Sequence, residues 1–370
     1  MEFSIGKNFL QKELGFVQGI VEKKNTIPVL SNILIESVNG NKLRITGTDL
    51  DTTLRCETEA EIKTVGSMCV NARKLFDIAR VLPDAPVSFR KEENNWVAVK
   101  CERSSFRIAG VERDSFPELP AFRSASIQLP ANVFETFIKR TIFAITLEES
   151  RYTLSGAKFL LDKVSARMVT TDGHRLAYIE RKDLTSGGAN GDVDTLIPRK
   201  TLDALIKLTA SHEGDIGLAT DENHIYFEVG PHLLISRTLA GQFPNYEMVI
   251  PKSNDKSALF DSAALGQAIR RVALMADDRS HAIRLHLVSG NLHISSQTAE
   301  EGEARESVAT EYDGDEMEIG FNAQYLQDFL NIAGEGQIAF EFKDGNSQAL
   351  LRPAADADYE YKYIVMPMRI

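Results

Sequence analysis

Apolar residues recur every three or four positions in six stretches of the chain, and this spacing predicts six amphipathic helices. Between the helices, period-2 alternation in "SFRIAG", "IYFEVG" and "IAFEFKDG" predicts strands. Polar turns at residues 38–41 and 288–291 indicate hairpins. Together these elements favour an α+β fold with antiparallel sheets. The predicted helices cover residues 7–24, 71–81, 131–147, 199–209, 261–275 and 321–333.

The same order of elements occurs three times, which indicates three copies of one domain. Each copy has a helix, strands, a second helix and further strands, and the spacing is that of a small domain. The polar stretches "RSAS" and "KSNDKS" separate the copies, so we expect domains at residues 1–124, 125–253 and 254–370. The third copy is the most divergent. The matching segments are "VNARKLFDIARVLP" (70–83), "IPRKTLDALIKLTA" (197–210) and "FNAQYLQDFLNIAG" (321–334), then "LRITGTDLDTTL" (43–54), "ARMVTTDGHRLA" (166–177) and "NLHISSQTAEE" (291–301), and then "DSFPELP" (114–120) and "GQFPNYEMVIP" (241–251).

The composition is that of ordinary globular domains, with 370 residues of which 43% are hydrophobic and 26% are charged. The start "MEFSIGKNFL" lacks a basic segment followed by a long apolar run, so we expect no signal peptide. No apolar stretch approaches the roughly 18–20 residues that cross a bilayer, so we expect no membrane association. Cys56, Cys69 and Cys101 show no metal-site spacing and are expected to be buried thiols of a cytoplasmic protein.

Charge is distributed unevenly between the predicted helices and the rest of the chain. The net charge is −11, yet the six helices hold 14 basic against 7 acidic residues. In the second and fourth helices, Arg73, Arg80, Lys200 and Lys207 lie opposite the apolar stripe, whereas the polar face of the sixth helix is neutral. Basic side chains suit any exposed helix face. A bias shared by most of the helices favours a common surface that meets a polyanion.

Recognisable catalytic and metal-binding motifs are absent from the sequence. It contains no phosphate-binding loop, dinucleotide fingerprint, nucleophile elbow or zinc-protease motif. The acidic runs "ETEAE" and "EEGEARE" lack the pattern of a calcium loop and are expected on solvated strand edges and loops. Asp172 and His174 in "TDGHRLA" could assist hydrolysis, but Asp172-Gly173 is itself a turn signal. We expect no enzymatic activity, no metal and no cofactor.

The chain ends in the apolar, methionine-rich sequence "YIVMPMRI" (363–370), although terminal residues usually fray in water. Two interpretations are open. The segment is a buried strand, or it offers an adaptable apolar surface to other molecules, since the methionine thioether is flexible and polarizable. Both hold if alternate side chains point inward and outward.

Four motifs in a fixed order within the threefold repeat, "GTDLDTTL", "TDGHRLA", "FPNYEMVIP" and "VMPMRI", resemble those of bacterial DNA polymerase III beta subunits, the sliding clamps. The resemblance covers the whole chain. It implies three clamp domains, with antiparallel sheets outside and two helices per domain inside, in a head-to-tail homodimeric ring. Duplex DNA threads such a ring, so the resemblance implies a processivity factor of the DNA polymerase III holoenzyme that slides without sequence specificity.

The resemblance implies that basic residues of the helices and of one loop face DNA. Lys24-Asn25 stands where relatives often have an arginine followed by a proline, so charge is kept there. Glu148 stands where some relatives have a neutral amide, and it is left out of the DNA-facing set. The expected DNA-facing residues are Lys24, Arg73, Arg80, Lys139, Arg151, Arg199, Lys200 and Lys207.

The resemblance also implies an apolar groove between the second and third domains, in which partner proteins dock a short linear peptide. The implied partners are the DNA polymerase III alpha subunit, the clamp-loader delta subunit, other polymerases and mismatch-repair proteins. Met248 stands where relatives often carry a basic residue at the groove edge, so contact with acidic peptide positions should be weaker. The expected groove residues are Leu154, Thr171, Gly173, His174, Arg175, Leu176, Pro244, Met248, Val249, Val365, Met366, Pro367, Met368 and Arg369.

The implied ring joint involves an edge strand of the first domain. By family position, Phe106 on that strand is expected to pack near Leu274 and Met275 of the third domain in a second copy of the chain. Lys74 is a candidate for an ion pair across the joint. Alternation within "SFRIAG" explains Phe106 equally well.

Two other classes of function are compatible with parts of the sequence. A repeat-built protein scaffold would share the fold without binding DNA, so reversing the charge of Lys200 and Lys207 would leave DNA retention unchanged. A hydrolase built on Asp172 and His174 would lose turnover when His174 is replaced. The sliding clamp is the leading hypothesis.

Overall fold

The protein forms two compact units in the computed structural model. The described residues are 1–21, 27–148, 150–186, 192–298 and 302–369. The first unit consists of Met1–Glu135 and Lys200–Thr238, and the second of Thr136–Arg199 and Leu239–Ile370. The predicted domain boundaries at 124/125 and 253/254 stay predictions.

Among the described residues, each of the three repeats contributes two α-helices, as the sequence predicts. The fourth helix has its predicted bounds, and the others begin or end within the predicted ranges. The helices are α1 Lys7–Gln18, α2 Ala72–Val81, α3 Ala131–Thr141, α4 Arg199–Thr209, α5 Ser262–Val272 and α6 Ala323–Ala333.

Three helices are shorter than predicted at their C-terminal ends. Helix α1 ends at Gln18, with Gly19 at the C-cap position, and most of the remaining predicted residues lie outside the described ranges. Helix α3 stops at Thr141, whose hydroxyl donates back to the Phe137 carbonyl at 2.8 Å, and a 3₁₀ turn Ile142–Ala144 follows. Helix α5 likewise gives way to a 3₁₀ turn, Ala273–Met275. Such tighter turns satisfy carbonyls that have no partner at a helix end.

Side-chain caps fix where three helices begin. Asn71 accepts from the N–H of Lys74 before α2, and Asp261 accepts from the N–H of Ala264 before α5. Asn322 caps α6 in the same way. The predictions placed these polar residues inside the helices, whereas their oxygens serve as acceptors just outside.

All sheet pairings among the described residues are antiparallel, as predicted. The described strands are β1 Glu2–Gly6, β2 Asn32–Val38, β3 Lys42–Thr48, β4 Thr52–Glu59, β5 Glu61–Thr64, β6 Ser67–Asn71, β7 Pro86–Lys91, β8 Val97–Cys101, β9 Ser104–Ile108, β10 Gly110–Val111, β11 Ile127–Pro130, β12 Gly156–Leu161, β13 Ala166–Thr171, β14 Arg175–Arg181, β15 Val193–Pro198, β16 Asp215–Thr220, β17 His224–Val229, β18 His232–Arg237, β19 Lys256–Asp261, β20 Ala282–Val288, β21 Asn291–Thr298, β22 Gly302–Ala309, β23 Met317–Asn322, β24 Gln337–Phe342, β25 Ala349–Pro353 and β26 Glu360–Val365.

Sheets are shared between consecutive repeats. The first unit has the orders β5-β1-β7-β8-β9 and β10-β6-β2-β3-β4-β18-β17-β16-β11. The second unit has the orders β15-β12-β13-β14-β26-β25-β24-β19 and β22-β21-β20-β23. In the nine-stranded sheet, five strands of the first repeat join four of the second where β4 pairs with β18. In the eight-stranded sheet, four strands of the second repeat join four of the third at the equivalent pair, β14 with β26. By position in the strand order, β9 is equivalent to β18 and β26, and β22 is equivalent to β4 and β14. Unlike these equivalents, β9 and β22 lie at the edges of their sheets and have a partner strand on one side only.

The hairpin and edge predictions are confirmed. Strands β2 and β3 turn at Asn39 and Gly40, which have φ of 45° and 84°. In the second predicted hairpin, Val288 lies opposite Asn291 across a two-residue turn. The first acidic run spans the end of β4 and the edge strand β5, and the described part of the second run belongs to the edge strand β22. Charge at such edges opposes pairing between unrelated strands.

The predicted apolar helix faces are buried with one exception. In α2, Leu75, Ile78 and Ala79 are buried. In α4, Leu205 is buried but Ile206 is only half-buried.

The three cysteines are free and buried, as predicted. Burial raises the pKa of all three thiols, that of Cys69 to about 12. They therefore behave as small apolar side chains. No helix among the described residues combines the length and the apolar character needed to span a membrane.

Candidate functional site

The turn between β13 and β14 is organised by the side chain of Asp172. Its Oδ1 accepts hydrogen bonds from the backbone N–H groups of His174 and Arg175, at 2.9 and 3.0 Å. Gly173 has φ of 90°, a left-handed conformation that favours glycine. The Thr171 hydroxyl donates to the Arg175 carbonyl at 2.6 Å and so closes the turn. The turn signal in the sequence is confirmed.

The pairing of β14 with β26 brings the end of the chain to this turn. Leu176 lies opposite Ile364, and Arg175 lies opposite Val365. Because successive strand residues point to opposite faces, these two pairs lie on opposite faces of the sheet. The face with Leu176 and Ile364 carries an apolar cluster, and the face with Arg175 and Val365 carries an ion-pair network.

The chain beyond β26 stays hydrogen-bonded. The N–H of Met366 donates to the carbonyl of His174 at 2.9 Å. The N–H of Met368 donates to the carbonyl of Gly320 at 2.8 Å. The methionine segment, Met366–Met368, is therefore fixed to the 172–175 turn and to β23 of the four-stranded sheet rather than frayed.

The Leu176 face carries an apolar cluster that segment 243–250 partly covers. In this segment Met248 is 79% exposed and Pro244 is exposed, so apolar surface remains open to solvent beside the cluster. Met366, Pro367 and Met368, which follow Ile364 of this cluster in the sequence after one intervening residue, are half-buried. The cluster consists of Val169, Leu176, Tyr178, Tyr246, Leu350 and Ile364, against which Leu160, Phe243, Val249 and Ile250 pack.

The opposite face is held by Arg175. Its guanidinium donates to Asp172 at 2.9 Å, to Asp328 of α6 at 2.6 Å and to the Phe143 carbonyl at 2.8 Å. It also lies over the ring of Tyr325, 4.4 Å from its centroid. The side chain is only 10% exposed. The guanidinium thus links the turn to α6 through charge-assisted bonds.

The pKa of Arg175 reflects this network. Burial by itself lowers the pKa of the guanidinium, but Tyr363 and the two aspartates, Asp328 and Asp172, outweigh burial and raise the pKa above its ordinary value. Burial also raises the pKa of Tyr363. Arg175 is therefore a permanently charged structural link.

The prediction that alternate tail side chains point inward and outward is wrong for the strand itself. Tyr363, Ile364 and Val365 are all fully buried, because the sheet is covered on both faces. Exposure begins only at Met366. The tail is a buried strand followed by a partly open apolar segment.

The expected groove residues divide by exposure. Val365 belongs to the Arg175 face and has no exposed surface, and its place in the groove stays a prediction. Ile364, which is not among the expected groove residues, lies in the apolar cluster on the Leu176 face. The exposed members are Gly173, His174, Pro244, Met248 and Arg369, the half-buried members are Leu154, Arg175, Val249, Met366, Pro367 and Met368, and the buried members are Thr171, Leu176 and Val365.

In the first unit, three expected DNA-facing residues are exposed and one is held by the protein. Arg73, Arg80 and Lys207 are exposed. The Lys200 ammonium instead bonds to the carboxylate of Asp49, which is 7% exposed. Lys200 therefore fixes the "GTDLDTTL" turn against α4, a role that the sequence did not indicate.

In the second unit, Lys139 is exposed, whereas two arginines contact backbone carbonyls. Arg199 donates to the Ile142 carbonyl at 3.0 Å. Arg151 donates to the Asp172 carbonyl at 2.6 Å. The remaining expected residue, Lys24, lies outside the described residues.

Three of the residues expected at a ring joint lie on or near the edge strands β9 and β22, and the fourth, Lys74, lies on α2. Phe106 is half-buried on β9, where alternate residues are half-buried. Leu274 is 76% exposed and Met275 half-buried in the 3₁₀ turn after α5. Lys74 is exposed on α2.

Asp172 and His174 do not form a catalytic pair in the arrangement described. The Asp172 carboxylate accepts from backbone N–H groups and from the Arg175 guanidinium. The imidazole of His174 stacks against Tyr325, with centroids 6.4 Å apart. The contact between the two residues is a backbone hydrogen bond that shapes the turn.

Comparison with known proteins identifies the fold and the family. Residues 1–120, 128–245 and 247–369 match the models for the N-terminal, central and C-terminal domains of the DNA polymerase III beta subunit. A curated beta sliding clamp of Pseudomonas putida is 36% identical, with both chains fully covered. Sliding clamp structures from Bartonella birtlesii (32% identical, TM-score 0.94) and Pseudomonas aeruginosa (35%, TM-score 0.92), each bound to griselimycin, also match over the full length of both chains.

These matches define the class of fold as a three-domain clamp, which confirms the α+β repeat expected from the sequence. The chain belongs to the DNA polymerase III beta subunit family, the bacterial beta sliding clamps.

Replacing Arg175 with Met should destabilise the second unit by about 3–5 kcal/mol, because Asp172 and Asp328 lose a buried partner. Urea denaturation measures the change. Arg181→Met on the same strand is the matched control, since its partner Asp183 is 63% exposed and the loss should be about 1 kcal/mol or less. Equal losses in the two variants would show that the Arg175 network contributes no more than a surface ion pair.

Proposed function

We propose that this protein is a DNA sliding clamp and processivity factor, which encircles duplex DNA and holds DNA polymerase III and other proteins to it. The observation that carries the proposal is the match of all three domains, in family order, over the whole chain. The apolar groove at the β14–β26 junction supports the docking role, since it lies where the family resemblance expects one. The clamp acts without catalysis.

Closure of the ring follows from the strand order. Strands β9 and β22 are sheet edges, yet their equivalents in the other repeats pair with each other at β4–β18 and β14–β26. We propose that β9 of one copy pairs with β22 of a second copy, which completes the same junction and gives a head-to-tail homodimer. Exposed edge strands are suited to such pairing.

Side chains near these edges suit the proposed joint. Leu274 presents an exposed apolar side chain near β22, and Phe106 is available on β9. Strand β22 has a net negative charge from Glu303, Arg305 and Glu306, whereas β9 carries Arg107. Within the single chain, Glu306 pairs with Arg271 and Arg107 pairs with Glu92. Opposite charges on two edges favour their pairing over pairing of like edges.

DNA is proposed to contact the basic helix faces without sequence specificity. Arg73, Arg80, Lys139 and Lys207 are exposed cations on α2, α3 and α4. Lysine and arginine contacts to phosphate depend on salt and carry no sequence information. Weak contacts of this kind allow the ring to slide.

Partner proteins are proposed to dock a short linear peptide in the apolar groove. The partners are the DNA polymerase III alpha subunit, the clamp-loader delta subunit, other polymerases and mismatch-repair proteins. Because relatives have been solved with griselimycin bound, we propose that this compound occupies the same groove and serves as its probe. Met248, Met366 and Met368 give the groove walls side chains that adapt to different peptides.

A variant that ends at Val365 should lose griselimycin binding, because it lacks the half-buried Met366–Met368 wall but keeps β26. Fluorescence anisotropy with labelled griselimycin measures affinity, and circular dichroism checks the fold. Undiminished binding by a folded truncated chain would place the binding site elsewhere.

Lys207→Glu should weaken binding to a short labelled duplex, because an exposed cation that faces phosphate becomes an anion. The slope of log affinity against log salt should flatten by roughly 0.9 for each phosphate that the protein no longer neutralises. Lys207 is the better choice than Lys200, whose charge is already matched by Asp49. Lys63→Glu is the control, since Lys63 lies on the edge strand β5 outside the helices. If both variants bind DNA with the affinity of the unchanged protein, the result would favour the scaffold hypothesis over the sliding-clamp hypothesis.

A further inference from the structure

Arg151 is tied by its backbone to the wall of the proposed groove. It immediately precedes the 3₁₀ turn Tyr152–Leu154, and its carbonyl accepts from the N–H of Leu154 at 2.9 Å. The Leu154 carbonyl in turn accepts from the N–H of Thr146 at 3.3 Å. The position of Arg151 is therefore fixed relative to one expected groove residue.

The guanidinium of Arg151 also supports the 172–175 turn from outside. Its Nη1 donates to the Asp172 carbonyl at 2.6 Å. A Cβ placed on Gly173 would lie only 3.0 Å from the same nitrogen, so the guanidinium lies directly against the turn. The Asp172 carboxylate is already engaged within the turn and with Arg175. Arg151 thus donates to the backbone carbonyl of Asp172, whereas the Asp172 carboxylate accepts from the turn N–H groups and from Arg175.

The turn passes this support to the chain end. Directly after Gly173, the carbonyl of His174 accepts from the N–H of Met366. A shift of the 172–175 turn therefore moves Met366, the first residue of the methionine segment. Arg151 acts on the groove through the turn, without needing to touch what binds there.

A second edge of the same guanidinium holds an exposed anion. The Nε of Arg151 lies 3.0 Å from a carboxylate oxygen of Glu148, and the two side chains are 39% and 61% exposed. Ion pairs this exposed are weak. A phosphate accepts two N–H groups of arginine and is the stronger partner, so it can replace Glu148 on this edge. The bond from Nη1 to the Asp172 carbonyl is on the other side of the guanidinium and need not break.

We propose that Arg151 is a positioning residue of the groove that also binds DNA, with Nη1 holding the 172–175 turn and the Nε edge exchanging Glu148 for a DNA phosphate. The proposal rests on the proposed function and deepens it. One side chain then serves both sites, and its two edges allow DNA and a docked partner to be held together. Glu148 keeps the guanidinium in place when DNA is absent.

Arg151→Ala should weaken griselimycin binding on the order of tenfold in the absence of DNA, because the turn then lacks a charge-assisted hydrogen bond. Binding is measured by anisotropy, and thermal unfolding checks that the variant is folded. Lys63→Ala is the control for removal of an exposed cation on a distant strand. Affinity of Arg151→Ala within twofold of the unchanged protein would overturn the positioning role.

Two conservative variants separate positioning from general damage. Arg151→Lys keeps the charge but not the two-edged geometry, so griselimycin affinity should fall more than duplex affinity, which keeps the attraction between the charges. Glu148→Gln removes the competing anion and should tighten duplex binding. Equal losses of affinity for griselimycin and duplex in Arg151→Lys would contradict the exchange of anions. An unchanged duplex affinity in Glu148→Gln would contradict it as well.

The same measurements distinguish failure of this inference from failure of the proposed function. If the unchanged protein binds neither griselimycin nor duplex, the proposed function itself fails. If it binds both and Arg151→Ala alters neither, only the shared role of Arg151 is overturned.

Discussion

The antiparallel pairing of β14 with β26 is the interaction on which the candidate site depends. It joins the second repeat to the third in one eight-stranded sheet. On one face it brings Leu176 beside Ile364, and on the other it buries Arg175 beside Val365. The apolar face forms the floor of the proposed groove. The charged face fixes the sheet to α6 through Arg175 and Asp328. The consecutive apolar residues Tyr363, Ile364 and Val365 fit this arrangement, because here the sheet is covered on both faces and all three are fully buried.

The equivalent pairing of β4 with β18 shows what makes one junction a groove. There the N–H of Arg237 donates to the Asp51 carbonyl at 2.7 Å, as Met366 does to His174 at the other junction. The backbone arrangement is therefore repeated, but Arg237 replaces the methionine. In the first unit, Phe122 packs on Tyr226 over the corresponding sheet. The two junctions therefore share their backbone arrangement and differ in their side chains.

Much of this architecture could be predicted from the sequence because it rests on local pattern. The threefold repeat, the six helices and the 172–175 turn follow from periodicity and turn chemistry. The burial of Val365 on the Arg175 face could not be predicted, because a run of apolar residues in a doubly covered strand does not indicate which face each one takes. The roles of Lys200 and Arg151 were missed for another reason. Their partners, Asp49 and the Asp172 carbonyl, are distant in sequence, and only the fold brings them together.

Native-state hydrogen exchange of the Met366 amide tests whether the chain end is a fixed wall of the site. Its hydrogen bond to the His174 carbonyl predicts protection comparable to that of the paired amides in β14 and β26. Exchange of Met366 at the rate of an unfolded peptide, while β14 stays protected, would contradict this, since the methionine segment would then be a frayed end that becomes ordered only when a partner binds.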